Sequence, residues 1–135
     1  MKSRILIADD HALVRRGLKA LLEDHPDWEV CGEASGGQEA IDKAKELRPD
    51  LIIMDISMPG LDGLEATRQI RLMAPEIEVL IVTMHGSREM MQAARRAGAR
   101  GYIVKSASFD RLADALQTVR RHEAHFPRVP DEPQG

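Results

Sequence analysis

Leu51-Ile52-Ile53-Met54-Asp55-Ile56-Ser57-Met58-Pro59-Gly60-Leu61-Asp62-Gly63 is the stretch that decides the fold. Four aliphatic residues in a row, without alternation and too short for an ordinary helix, read as a strand buried on both faces. The run stops on a carboxylate, Asp55, and the proline and glycines beyond it are turn residues. A helix is expected after Gly63. Pro75 marks its end, because proline disfavours helical geometry in the residue before it.

The same arrangement repeats on either side. Val79–Val82 is a second aliphatic run, and the strands are expected at Arg4–Ala8, Glu29–Glu33, Leu51–Met54, Glu78–Thr83 and Gly101–Val104. Between them lie helical stripes: Val14, Leu18, Leu21 and Leu22, then Ile41, Ala44 and Leu47, and last Phe109, Leu112, Leu116 and Val119. The segment Arg88–Ala97 offers only Met90, Met91 and alanines, so it is expected to be the least firmly packed and most mobile helix. Strands alternating with helices in this way describe an α/β domain, a parallel sheet covered on both faces.

With 135 residues the chain has room for one such domain. Its aliphatic runs are far too short to span a bilayer, and Asp9 and Asp10 interrupt the N-terminus before any signal-peptide stretch forms. With Cys31 the lone cysteine, no internal disulfide can form, and a cytoplasmic setting with no membrane contact is expected. The net charge of -3 excludes a strongly basic nucleic-acid-binding domain. Basic residues do gather between Arg88 and Arg121, where they outnumber the acidic Glu89, Asp110 and Asp114. After Arg121 the apolar pattern stops and Pro127, Pro130 and Pro133 appear. The domain is therefore expected over 1–121, with 122–135 a linker or disordered tail.

In open α/β sheets, ligands bind beyond the carboxyl ends of the strands. Asp9 and Asp10 follow the first expected strand, Asp55 the third and Lys105 the fifth, while Thr83 closes the fourth. Singly, each has an ordinary explanation: an acid capping a helix, a β-branched strand end, a solvated lysine. Together, three carboxylates at one edge repel each other, which protonation or a bound cation relieves. All-oxygen ligands suit Mg²⁺, and Lys105 with Thr83 would supply a charge and a hydroxyl to a phosphoryl group.

The Asp9-Asp10 pair, Ile53–Gly63, Val82-Thr83 and Gly101-Tyr102-Ile103-Val104-Lys105 resemble response regulator receiver domains, over residues 4 to about 121. Thr83-Met84-His85 and Ala97–Tyr102 are similar to the NarL/FixJ-type (LuxR-type) subfamily. The resemblance implies a flavodoxin-like (βα)5 doubly wound sheet of strand order 2-1-3-4-5. It implies Asp55 as the phosphoacceptor, charged by a sensor histidine kinase in a two-component phosphorelay. Asp10, Asp55 and the backbone carbonyl of Ser57 would hold Mg²⁺ directly, and Asp9 through water. Lys105 would pair with the phosphoryl oxygens, Thr83 would swing toward them, and Tyr102 would follow inward as the second switch residue. The implied product is a signalling domain, not an enzyme, with slow self-dephosphorylation allowed. Apart from the resemblance, residues 88–121 could offer a homodimer surface, since homodimers commonly use symmetric patches, and the resemblance implies that DNA would be reached only through a C-terminal domain absent from this chain. Ser106 stands where many receivers have proline, so no cis-proline step is expected there.

Other readings weigh less. Aspartate-nucleophile hydrolases carry Asp-x-Asp, whereas this chain has Asp55-Ile56-Ser57. A flavodoxin-like cofactor binder would not place Asp9 and Asp10 where a phosphate must sit. A single-domain receiver, or a pseudo-receiver acting only through protein contacts, stays open.

Overall fold

Five strands form within one residue of the expected places: β1 (Ser3–Ala8), β2 (Trp28–Ala34), β3 (Leu51–Met54), β4 (Glu78–Thr83) and β5 (Gly101–Val104). They alternate with five helices, α1 (Ala12–Glu23), α2 (Gly37–Leu47), α3 (Gly63–Met73), α4 (Arg88–Ala97) and α5 (Phe109–Arg120). The computed structural model describes residues 2–84, 86–105 and 109–126. Ser106, His85, the side chain of Phe109 and the prolines of the tail lie outside the described residues.

All pairings are parallel and the strand order is β2-β1-β3-β4-β5, the flavodoxin-like receiver arrangement. Successive side chains in a strand point to opposite faces, and the core divides accordingly. Leu6, Ile52, Met54, Val79, Ile81 and Tyr102 join α2, α3 and α4 on one face. Ile5, Ile7, Leu51, Ile53, Leu80, Val82 and Ile103 pack with Leu22 of α1 and with Leu112, Leu116 and Val119 of α5 on the other. The wholly aliphatic runs are thus buried on both sides, as their composition requires.

The α1 stripe is narrower than expected. Leu22 is fully buried but Leu21 is 45% exposed. Adjacent helical residues point about 100° apart, so only one of this pair can meet the sheet. Pro75 stops α3 as expected, with Ala74 as its C-cap.

Past Arg121 the chain still contacts the domain. His125 bridges to Gly101 as a rudimentary parallel strand, its carbonyl accepting from Tyr102 N at 2.9 Å and its N–H donating to Arg100 O at 2.9 Å. Phe126 packs against the α2–α3–α4 core, and the Arg95 guanidinium of α4 lies 4.0 Å from its ring centroid. This short strap covers part of the outer edge of β5. At the other edge, the β1–β2 register steps from Ile5 opposite Val30 to Leu6 opposite Gly32, skipping Cys31 in a bulge.

Candidate phosphoryl-acceptor site

Strand ends fix the site through backbone bonds. Asp9 N donates to Ala34 O and Asp55 N to Ala8 O, each at 2.9 Å, so both acids continue the sheet ladder by one residue. Lys105 N donates to Thr83 O at 2.7 Å in the same way. Because the strands are parallel, these extensions all emerge at one end of the sheet.

Behind Asp55, the loop from Ile56 to Leu61 is clamped by two helix starts. Gly63 N donates to Ile56 O at 2.9 Å and Gly37 N to Leu61 O at 3.1 Å. Asp62 caps α3 by accepting from Glu65 N at 2.9 Å. The acid is thus held on a braced turn.

Asp9 and Asp55 are almost completely buried, at 2% and 3% exposure. The Lys105 ammonium bridges them, 2.7 Å from Asp9 Oδ2 and 3.1 Å from Asp55 Oδ2. Burial alone would lower the Lys105 pKa. The hydrogen bonds that Lys105 donates to both carboxylates, and their negative charges, outweigh that and hold it above its usual range. This contact disposes of the solvated-surface explanation for Lys105.

Helix capping does not explain the Asp9-Asp10 pair either. The N-cap of α1 is His11, which makes no side-chain cap bond. Asp9 Oδ1 instead accepts from the His11 backbone N–H at 2.8 Å. Asp10 faces the His11 ring, with Nδ1 3.1 Å from its Oδ1. Asp9, Asp10, His11 and Asp55 each offer one ligand atom within 4.8 Å of the others. Hard oxygen donors so close together fit a small divalent cation.

The remaining expected residues lie around this cluster. Ser57 is exposed two residues past Asp55. Thr83 is fully buried at the end of β4. Tyr102, opposite Ile81, is fully buried among core residues, and burial pushes its phenol pKa up to about 12. The expected inward movement of Tyr102 therefore has no outward starting point here.

Sequence reasoning missed His11 and Arg15. Arg15 ties α1 to the site by donating from Nη1 to Asp9 O at 2.5 Å and from Nε to Glu33 Oε1 at 3.1 Å. The available signal was position: His11 directly follows the acidic pair, and Arg15 lies one helical turn further on.

The chain is similar to known proteins over most of its length. The Response regulator receiver domain family matches residues 5–117. Response regulator protein VraR of Staphylococcus aureus is 43% identical over 126 residues, or 93% of this chain, and the chain spans 60% of that relative's length. A LuxR-family two-component response regulator from Aurantimonas sp. SI85-9A1 superposes with a TM-score of 0.89 at 36% identity, over 97% of this chain and 92% of that one. The isolated receiver domain of RcsB from Salmonella enterica serovar Typhimurium, solved in the presence of phosphomimetic BeF3-, gives 0.86 at 25% identity over 95% of each chain. The chain belongs to the response regulator receiver domain family, and as such it is a signalling phosphoacceptor domain rather than an enzyme.

Proposed function

We propose that Asp55 is the phosphoacceptor, charged by a phosphohistidine of a sensor histidine kinase. The observation that carries this reading is the Lys105 ammonium lying between the buried Asp9 and Asp55 carboxylates. An Asp55 carboxylate oxygen attacks phosphorus, the P–N bond breaks, and the imidazole nitrogen keeps the bonding pair. Lys105 then balances charge on the transferred group.

The acidic cluster is typical of a receiver Mg²⁺ site. In this reading Asp10, Asp55 and the Ser57 carbonyl hold the ion directly, and Asp9 acts through water. When bound, Mg²⁺ offsets negative charge on the phosphoryl oxygens.

Phosphorylation adds about two negative charges at one buried point. Thr83, at the adjoining strand end, turns its hydroxyl toward the new oxygens, and α4 adjusts behind it while Tyr102 is already inward. Met91 and Ala94 are the buried residues of α4, so this helix has little packing to lose. The output is a change in protein contacts, including a homodimer through residues 88–121. A DNA-binding domain outside this chain would convert it into transcription control. Among the described residues no helix is long and apolar enough to cross a membrane.

Intact-mass spectrometry after incubation with acetyl phosphate and Mg²⁺ tests the chemistry. One phosphoryl adduct is expected on the parent chain, and none on Asp55→Asn or with chelator present. An adduct surviving on Asp55→Asn moves the acceptor elsewhere. No adduct on the parent, with a phosphohistidine donor tried as well, supports the pseudo-receiver reading. Sedimentation equilibrium tests the output: the phosphorylated chain should approach twice the monomer mass, and a monomer in both states removes the homodimer.

A further inference from the structure

We infer that His11 is a nitrogen ligand of the divalent-cation site, and that it widens the site's preference from Mg²⁺ toward imidazole-seeking cations such as Co²⁺. The inference rests on the proposed cation site and adds a residue to it.

The geometry is specific. His11 Nδ1 lies 3.1 Å from Asp9 Oδ1 and 3.1 Å from Asp10 Oδ1. Two ligands in adjacent octahedral positions, each about 2.1 Å from a metal, stand about 3.0 Å apart. The imidazole nitrogen and the Asp10 oxygen thus already have the spacing of neighbouring coordination positions, and Asp9, which acts through water, lies against the same nitrogen.

The two oxygens of Asp9 divide their roles. Oδ2 faces the Lys105 ammonium, which also reaches Asp55. Oδ1 faces His11, both through the backbone N–H at 2.8 Å and through the ring. The cation position on the His11 side is therefore not the position Lys105 fills.

His11 is also well placed to adjust. Its backbone is fixed, with the carbonyl accepting from Arg15 N at 3.0 Å at the first turn of α1. Its side chain is 63% exposed, so the ring can turn onto an ion without disturbing the core. Mg²⁺ strongly prefers oxygen and gains little from such a nitrogen. Divalent cations later in the first transition row gain much more.

A hydrogen-bonding histidine would show similar distances, but the two roles make different predictions. If His11 only donates a hydrogen bond to the carboxylates, its removal affects all cations alike. If it ligates, its removal weakens Co²⁺ selectively. His11→Gln separates the roles again, because the amide can donate a hydrogen bond but offers no imidazole nitrogen.

The test is isothermal titration calorimetry of the full chain with MgCl2 and with CoCl2, at one fixed neutral pH. The proteins are the parent, His11→Ala, His11→Gln and Asp10→Asn. The last of these reports Co²⁺ bound elsewhere, such as at His25, His122 or His125. The visible absorption of bound Co²⁺ is recorded alongside, and circular dichroism checks the fold.

His11→Ala and His11→Gln should both lose about tenfold or more in Co²⁺ affinity and change the visible spectrum, with Mg²⁺ affinity within about twofold of the parent. Parallel changes for both cations, no change for either, or recovery of Co²⁺ affinity in His11→Gln overturns the role of His11. Failure of the parent to bind Mg²⁺ overturns the cation site itself, and with it this inference.

Discussion

A Gly63→Ala chain is expected to unfold at clearly lower urea and to accept phosphoryl groups poorly, although Gly63 is not among the proposed cation or phosphoryl ligands. A Cβ at this position would lie 1.9 Å from the Asp55 carbonyl oxygen, 2.8 Å from its carbonyl carbon and 3.0 Å from Ile56 Cα. These are backbone atoms, so no side chain can rotate to relieve the overlap. Asp55 is itself held in the sheet through Ala8 O, and Gly63 bonds to Ile56 O, so any relief must move α3 or the acceptor turn. Overpacking in cores costs about 1–3 kcal/mol, and a backbone clash belongs at or above the top of that range. For a chain of this size we expect the thermal midpoint to fall by about 10 °C. Urea titration gives the stability, and intact mass after acetyl phosphate treatment gives the charging. Parent-like stability would mean that α3 need not start so close to the acceptor.

The second large effect lies at the opposite end of the sheet. Glu78, at the start of β4, is 1% exposed, yet three cationic or potentially cationic groups surround it. Arg71 Nη1 is 2.8 Å from Oε1, Arg100 Nε is 3.0 Å from Oε2, and His122 Nδ1 is 2.7 Å from Oε2. This one carboxylate ties α3, the approach to β5 and the turn after α5 to the base of the central sheet. Removing one member of a fully buried pair costs about 3–5 kcal/mol. Here only Arg71, 16% exposed, is left poorly hydrated, while Arg100 and His122 are 36% and 63% exposed, so a loss of about 2–3 kcal/mol, at or below the foot of that range, is expected. Glu78→Ala should therefore be clearly destabilised in urea denaturation, with Glu78→Gln intermediate because it keeps the volume and an acceptor. The six-residue strand separates Glu78 from Thr83 by about 17 Å. Charging of the folded fraction on Asp55 should consequently match the parent. A stability change below about 1 kcal/mol for Glu78→Ala would show that the ion pairs barely exceed their desolvation cost.

The contrast between these two positions shows what the sequence could and could not reveal. Strand positions were legible because Leu51–Met54 and Val79–Val82 are aliphatic without interruption, and only a strand covered on both faces calls for that. Asp9, Asp10, Asp55 and Lys105 were legible as one group because parallel strands deliver their C-terminal ends to the same side. Glu78 was not, since its partners lie 7, 22 and 44 positions away. Their meeting depends on how α3, β5 and the end of α5 fold together. The strap from His122 to Phe126 escaped for another reason. Much of its attachment is backbone pairing with Arg100 and Tyr102, which leaves no periodic signature in a segment whose one large apolar side chain is Phe126. Leu21 misled because a stripe drawn on helical period alone does not say how wide the covered face is.

The two edges of the sheet have a further consequence, for life in a crowded solution. An outer strand presents unpaired amides and carbonyls to any extended chain it meets, and edge-to-edge pairing of that kind leads toward fibres. Here each edge departs from a flat, open strand in its own way. At β5 the His125 segment already occupies part of the ladder, and at β2 the bulge at Cys31 bends the strand away from a flat template. Neither device belongs to the phosphoryl-acceptor cluster. Together they oppose the molecule's recruitment into an aggregate, a service that would go unnoticed in any assay of signalling.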